Sequence, residues 1–410
     1  MTTSLVQSDP AELGFDPRRL DRIESHFSRY VEEELLPGFA VLVSRAGKVC
    51  YHRTKGWRDL DSKASLTDDA MYRIYSMTKP VTSVALMMLY EEGLFDLSDP
   101  VSKFLPEFSS PMVLVGGSSV KPVLRPASAP LLIWHLLTHT AGLSYGFFYR
   151  DPVDALYRGA GFEWGSPEGA DLARCCEIWA GLPLLFDPGT SWNYSHATDV
   201  VGRLVEVISG TSLADFFAQR IFGPLRMVDT AFQVTEEAAD RLVTLYLPDA
   251  MTGRATRSPR LGRGGGGKPS AYFGGSGLIS TISDYHRFSL FLRGGGELDD
   301  VRLLSPKTVS YMARNHLPGG HDIAFFEHPI AGESEPGVGF GLGVSVVTDP
   351  AAMKVPASVG EYGWGGAAST TFWVDPVEDL VVIFMTQLLP SSAYPLRREL
   401  HRLVHQAITA

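Results

Sequence analysis

Apolar and polar positions along the chain change period several times, and the changes mark out its elements. Residues 15–35 set apolar side chains at three- and four-residue intervals among charged ones, the pattern of a surface helix. FAVLVSRAGKVCYHRTKGW (39–57) instead reads as two strands turned at Ala46-Gly47. After MYRIYSMTKP comes VTSVALMMLYEEGLFDL, almost continuously apolar and stopped by Gly93, which predicts a buried helix beginning near Ser76.

From about 95 to 270 the pattern breaks into short helices separated by Pro, Gly and Ser clusters, among them LLIWHLLTHTAGL (131–143) and ATDVVGRLVEVISG (197–210). Toward the other end GFGLGVSVVTD (339–349), ASTTFWVDP (368–376) and DLVVIFMTQ (379–387) read as successive strands, and YPLRRELHRLVHQAI (394–408) as a closing amphipathic helix. Strands at both ends with helices between imply one sheet assembled from both termini. The expected organisation is an α/β domain from 1–94 and 275–410, with a helical domain, 95–274, inserted into it. No repeat of fixed period is visible.

Composition narrows the class. A chain of 410 residues exceeds what one core usually organises, in keeping with two lobes. With 45% hydrophobic and 20% charged residues it can build a sizeable core without cofactors or disulfide staples. The net charge of -10 is spread without an acidic tail or basic block, which argues against nucleic acid and anionic membrane and leaves neutral small molecules as partners. Cys50, Cys175 and Cys176 are too few for a disulfide framework, and their odd number fits a reducing compartment. The amino terminus lacks a basic stretch followed by an apolar one, and no run approaches the roughly 18 apolar residues of a membrane span. A cytoplasmic location is the expectation; oligomeric state is not legible.

The chemistry concentrates at Ser76-Met77-Thr78-Lys79, an S-x-x-K at the start of the buried helix, which sets hydroxyl and amine on one face. A serine is a poor nucleophile until a neighbour takes its proton, and a lysine in a partly desolvated site can do so. The helix start adds free N–H groups and a positive dipole end beside a developing oxyanion. S-x-x-K alone is common, and the bland alternative is a capping serine with a surface lysine. The apolar helix that follows leaves little solvated surface for such a lysine.

Five segments in order carry a wider likeness: Ser76-Met77-Thr78-Lys79, LLTHTAGL (136–143), FDPGTSWNYSH (186–196), GGSGLISTISDY (274–285) and YGWGG (362–366). On these the chain resembles the serine β-lactamase and penicillin-binding-protein superfamily, and within it the class C β-lactamases and family VIII carboxylesterases. The resemblance implies a β-lactamase/transpeptidase-like fold, an antiparallel sheet flanked by helices with an inserted helical domain. It implies that Tyr194, in Tyr194-Ser195-His196, lies beside Ser76 and Lys79 and relays protons, since a phenol near an ammonium is a competent base. His196 stands where class C enzymes carry asparagine and is expected to contact substrate. Trp364-Gly365-Gly366 occupies the K-T-G position of β-lactamases and is expected to line the substrate groove, with the backbone N–H groups of Ser76 and Ala367 forming the oxyanion hole.

Other patterns carry less. Gly142-Leu143-Ser144-Tyr145-Gly146 fits G-x-S-x-G, but it follows a helix rather than a strand, so Ser144 reads as a loop residue. Gly262–Lys268 approximates a phosphate-binding loop, but Pro269 replaces the required hydroxyl residue. His135 and His139, and likewise His401 and His405, are spaced i, i+4, but neither pair shows a third ligand, so no metal is expected. Cys175-Cys176 reads as apolar packing. The resulting expectation is a cofactor-independent serine esterase acting through an acyl-enzyme on Ser76. The alternatives are a β-lactamase or D-amino-acid peptidase of the same fold, an acyltransferase, and, last, a non-catalytic binding protein.

Overall fold

The computed structural model describes residues 5–258, 269–326 and 336–410. The Gly262–Lys268 glycine run lies outside them. An eight-stranded antiparallel sheet is built from both ends of the chain: β1 (Gly38–Arg45), β2 (Lys48–Asp59), β3 (Ala64–Ser65), β4 (Val338–Phe340), β5 (Ser345–Val347), β6 (Tyr362–Gly365), β7 (Thr371–Asp375) and β8 (Leu380–Met385). Their order across the sheet is β4-β5-β6-β7-β8-β1-β2-β3. Thus the last strand of the sequence pairs with the first, Leu42 opposite Ile383.

Both faces of the sheet are covered, which explains the unbroken apolar run of β8. Leu380, Val382 and Phe384 point one way with Phe39, Val41 and Val43, toward α1 (Pro17–Glu32) and the C-terminal helix α6 (Leu396–His405). Val381, Ile383 and Met385 point the other way with Ala40 and Leu42, into the larger cluster that holds α2 (Thr78–Glu91) and α5 (Ile282–Arg293). Period two therefore sorts the same strand into two cores. Asp16 caps α1 by accepting the N–H groups of Arg18 and Arg19. The Ala46-Gly47 turn has positive φ at both residues, 51° and 75°, the geometry that suits a tight hairpin.

Every residue of α2 from Thr78 to Leu89 is buried, so this helix runs through the middle of the larger cluster. It is flanked by α4 (Ala197–Ser209), and only its last two residues, Tyr90 and Glu91, reach toward solvent. Tyr285 of α5 donates its hydroxyl to the Met77 carbonyl and pins the start of α2. Among the described residues no helix is long and apolar enough to cross a membrane.

Three differences from the sequence reading have local causes. The 339–349 stretch is two strands rather than one, because Gly343 at φ 88° and the Gly341 N–H to Val344 carbonyl bond turn the chain between them. LLIWHLLTHTAGL is helical only over Ile133–Leu137, since His139 adopts φ 56°. Residues Met112–Gly117 and Pro122–Pro126 form a hairpin within the stretch read as helical. Within the same stretch α3 (Leu172–Gly181) carries the cysteine pair inward, as its apolar spacing requires. Tyr246, although it lies between 95 and 274, packs in the outer cluster with α1 and α6.

Helix α4 follows the YSH segment directly and ends at Gly210, φ 71°, whose N–H closes on the Glu206 carbonyl. A methyl group there meets open space, so only backbone conformation is at stake. Gly210→Ala should cost about 1 kcal/mol and leave catalytic rates unchanged. Urea denaturation checks this; an unmoved midpoint would contradict the left-handed cap.

Candidate active site

The approach to α2 is bent. Tyr75 has φ 44°, and Tyr75–Met77 forms a 3-10 turn before the α-helix begins at Thr78. Such a left-handed residue is held only where its surroundings over-determine it. It leaves Ser76 half-buried at the helix entrance, with Lys79 one turn below and fully buried.

Burying an ammonium costs several kcal/mol unless its donors are satisfied. Lys79 Nζ lies 2.7 Å from the Gly275 carbonyl, 3.1 Å from the Tyr145 hydroxyl and 3.3 Å from Ser76 Oγ. It also sits 4.5 Å from the centre of the Tyr194 ring. All three N–H donors are thus satisfied, one of them by Ser76, and the charge faces an aromatic ring.

Behind Gly275 stands Asp199, itself buried, whose Oδ1 accepts the Gly275 N–H at 2.7 Å. One residue thus presents its carbonyl to the lysine and its N–H to the carboxylate. Gly275 has to be glycine, because a Cβ would come within 2.8 Å of Asp199 Oδ1. The preceding Gly274 carbonyl accepts from Thr82 of α2, so the GGSG segment is laid directly along that helix.

The other wall is β6. Gly366 donates to the Thr370 carbonyl, and a Cβ on it would collide with Thr370 Oγ1 and with the carbonyl of Ile74, two residues before Ser76. A Cβ on Gly365 would collide with the Arg397 guanidinium. These two positions are therefore spacers that let a strand end touch the Ser76 turn. Ala367 follows in an exposed turn closed by Ser369 N–H on the Gly366 carbonyl. Among the described residues, no hydrogen bond is formed by the N–H of Ser76 or of Ala367.

Trp364 Nε1 donates to the Tyr194 hydroxyl at 3.2 Å, with ring centroids 5.5 Å apart. Tyr194 lies close to Lys79 through its ring face, whereas the resemblance implied contact through its hydroxyl. The hydroxyl bonded to Lys79 belongs to Tyr145. Burial, the Asp199 carboxylate and Tyr194 together hold its phenol well above the ordinary tyrosine range, so it stays protonated.

Tyr145 was missed because it sits inside G-x-S-x-G, where the serine draws attention. Ser144 is fully buried; the stretch contributes its tyrosine instead. Asp199 and Gly275 were missed as well, although an acidic residue on the apolar face of ATDVVGRLVEV is a signal that a buried partner exists.

His196 corrects the sequence reading: it does not face the groove. Its Nδ1 is 2.8 Å from Asp199 Oδ2, and its ring is enclosed by Trp179, Tyr145, Phe162 and Tyr157. Burial lowers its pKa against the opposing pull of Asp199, so it is a neutral prop for that carboxylate. The first histidine pair is also dispersed. His139 contacts Ser195 and Thr198, whereas His135 accepts the Leu132 N–H and is pushed by burial to about 4. Cys175 and Cys176 are buried, and burial raises both thiols, the first to about 12, which leaves them inert packing.

With this geometry in place, the comparisons with known proteins agree with one another. The sequence profile of the Beta-lactamase family matches residues 23–406. Esterase EstB of Burkholderia gladioli is 30% identical over 397 residues, covering 92% of this chain and 93% of that protein. Among solved structures, EstCE1, described as a hydrolase with promiscuous acyltransferase activity, superimposes with TM-score 0.79 at 26% identity over 96% of this chain and 99% of its own. Simvastatin synthase (LovD) from Aspergillus terreus does so with TM-score 0.79 at 26% identity, over 96% and 98%. The antiparallel sheet flanked by helices is the β-lactamase/transpeptidase-like fold, and the chain belongs to the beta-lactamase family, within the serine β-lactamase and penicillin-binding-protein superfamily.

Proposed function

We propose that the protein is a serine hydrolase that cleaves carboxylic esters through an acyl-enzyme on Ser76. The observation that carries the reading is the buried Lys79, whose Nζ reaches Ser76 Oγ while its other donors are already satisfied. Ser76 Oγ attacks the ester carbonyl carbon as its proton passes to the Tyr194 oxygen, which enters the step as a phenolate beside the Lys79 ammonium and leaves it as the phenol. The oxyanion is received by the N–H groups of Ser76 and Ala367, aided by the start of α2. The carbon–alkoxy bond breaks and the alcohol takes the proton back. Water then adds to the acyl-enzyme by the same route, releasing the acid and regenerating the serine. With one lone pair of the Tyr194 hydroxyl occupied by Trp364, its hydrogen is free to be donated to the departing oxygen.

Substrate class follows from Trp364, which stands where lactam-cleaving relatives carry a lysine. A neutral indole offers no charge to a substrate carboxylate, and Arg397, beside Gly365, donates to the Gly366 carbonyl at 3.0 Å. Outward from the nucleophile, Tyr145 stacks on Phe147 and Phe147 on the exposed Trp164, an aromatic ladder suited to uncharged acyl or alcohol groups. The similarity to EstB supports ester cleavage. A second reading, acyl transfer to an alcohol other than water, is favoured by the likeness to LovD and EstCE1; product partitioning between water and an added alcohol separates the two.

Ser76→Ala should abolish labelling by an organophosphonate and lower ester turnover about 10³-fold or more. An adduct mapped to Ser144 by peptide mass spectrometry would refute the assignment.

The two tyrosines should separate cleanly. Tyr194→Phe should lower kcat by about 10²-fold with an unchanged melting transition, because its hydroxyl contributes to the reaction and not to the burial of Lys79. Tyr145→Phe removes an acceptor from a buried ammonium and should also destabilise the protein by about 1–3 kcal/mol. Steady-state kinetics with calorimetric melting decide; near-normal turnover in Tyr194→Phe removes it from the relay.

For substrate choice, a charge-assisted hydrogen bond of about 1.5–3 kcal/mol is missing for β-lactams. The expected result is a higher kcat/KM for a short-chain p-nitrophenyl ester than for a cephalosporin, with Trp364→Lys narrowing the ratio. Faster cephalosporin hydrolysis than that of every neutral ester tested would overturn the esterase reading.

A further inference from the structure

On the sheet face covered by α6, where Trp373 stacks on His401, three buried side chains converge. Glu361 immediately precedes β6, Asp375 ends β7, and His405 is the last residue of α6. Their side chains are 3%, 0% and 9% exposed. Glu361 Oε2, Asp375 Oδ2 and His405 Nε2 lie within 4.8 Å of one another, and none has a hydrogen-bond partner among the described residues.

The remaining atoms of the three groups are already engaged. Glu361 Oε1 is 2.7 Å from His401 Nε2, and Asp375 Oδ1 accepts the N–H groups of Val377 and Glu378. Ser358 is a further polar side chain beside the Asp375 carboxyl. His405 Nδ1 is 2.9 Å from the His401 carbonyl, which can only accept, so Nδ1 carries the ring hydrogen. In the neutral ring Nε2 is then a lone pair aimed at two carboxylate oxygens. Three electron-pair donors face one another in a buried site, an arrangement that repels itself unless a cation lies between them.

A proton on Nε2, which burial opposes and the two carboxylates favour, gives ion pairs of 3.8 and 3.9 Å to Glu361 Oε2 and Asp375 Oδ2, too long for N–H···O bonds, and so leaves the three groups incompletely satisfied. A metal ion satisfies all three. A point equidistant from the three atoms lies within about 2.5 Å of each, close to the roughly 2.0–2.2 Å bonds that zinc makes to imidazole and carboxylate. A dication also balances the two carboxylate charges. The backbone carbonyl holding Nδ1–H is the support that metal-bound histidines usually have, and His401 supports Glu361 in the same way.

We propose that Glu361, Asp375 and His405 bind a structural divalent cation, zinc by its ligand chemistry, that clamps α6 onto β6 and β7. The His401/His405 spacing lacked a third ligand in the sequence; the sheet supplies two. Because β6 continues from Glu361 into Trp364-Gly365-Gly366, the clamp holds the root of the strand that lines the active site.

The test uses the full-length protein, stripped with a chelator and titrated with zinc chloride. One equivalent should bind by calorimetry, and the melting temperature should rise with free zinc concentration. His405→Gln and Asp375→Asn should each weaken that binding about 100-fold or more, while Ser76→Ala should not. Cobalt(II) in place of zinc should give visible absorption bands of a low-symmetry site that zinc displaces, a readout on the unaltered protein should a variant not fold. No zinc binding, zinc binding that survives both variants, or a cobalt spectrum no different from the aqueous ion would each overturn the proposal.

Discussion

A fully buried ammonium organises this molecule. Lys79 lies in a helix with no solvated face, so each of its donors has to be met by a protein group, and every group that meets one is a part of the active site. The chain supplies them from distant places: a carbonyl from the segment leading to α5, a phenol from the loop after Ile133–Leu137, and the serine itself. A lysine so enclosed has one direction in which to exchange a proton, toward Ser76 and whatever is bound there. Desolvation and reactivity are in this sense the same constraint.

The counter-charge is placed at one remove. Asp199 does not touch Lys79; it holds the Gly275 N–H while the Gly275 carbonyl holds the lysine. A direct ion pair would fix the proton on the lysine more firmly. Interposing a residue keeps the site electrically balanced while leaving the ammonium bonded mostly to neutral partners, among them the serine. His196, neutral and boxed in by aromatic rings, stiffens the carboxylate from behind. A mutation there would act on catalysis through two intervening groups.

Close backbone approach is the second requirement, and glycine meets it at each wall. Gly274 and Gly275 let one segment lie against α2 and Asp199, and Gly366 lets the end of β6 lie against Ile74. The strained Tyr75 then turns Ser76 into the gap between them. Across that gap Trp364 donates to the Tyr194 hydroxyl, so the residue proposed to set substrate polarity is bonded to the one proposed to relay the proton.

Local pattern in the sequence determined the kinds of element and their order. The apolar run of β8, the hairpin at Ala46-Gly47, α4 with its terminal glycine and the helix behind Ser76 are all governed by neighbours within four residues, which is the range over which side-chain periodicity carries information. The S-x-x-K turn is equally local, and it and its four companion segments were enough to indicate the family. Tertiary packing alone decided which tyrosine hydroxyl reaches Lys79, why His196 turns away from the groove, and what faces His405. Tyr145 and Gly275 come within bonding distance of Lys79, and Asp199 of Gly275, across sequence separations set by how helices and sheet stack, and nothing in a residue's own neighbourhood encodes that. The same holds for Glu361 and Asp375, two unremarkable acids in the sequence until adjacent strands bring them beneath the last turn of the final helix.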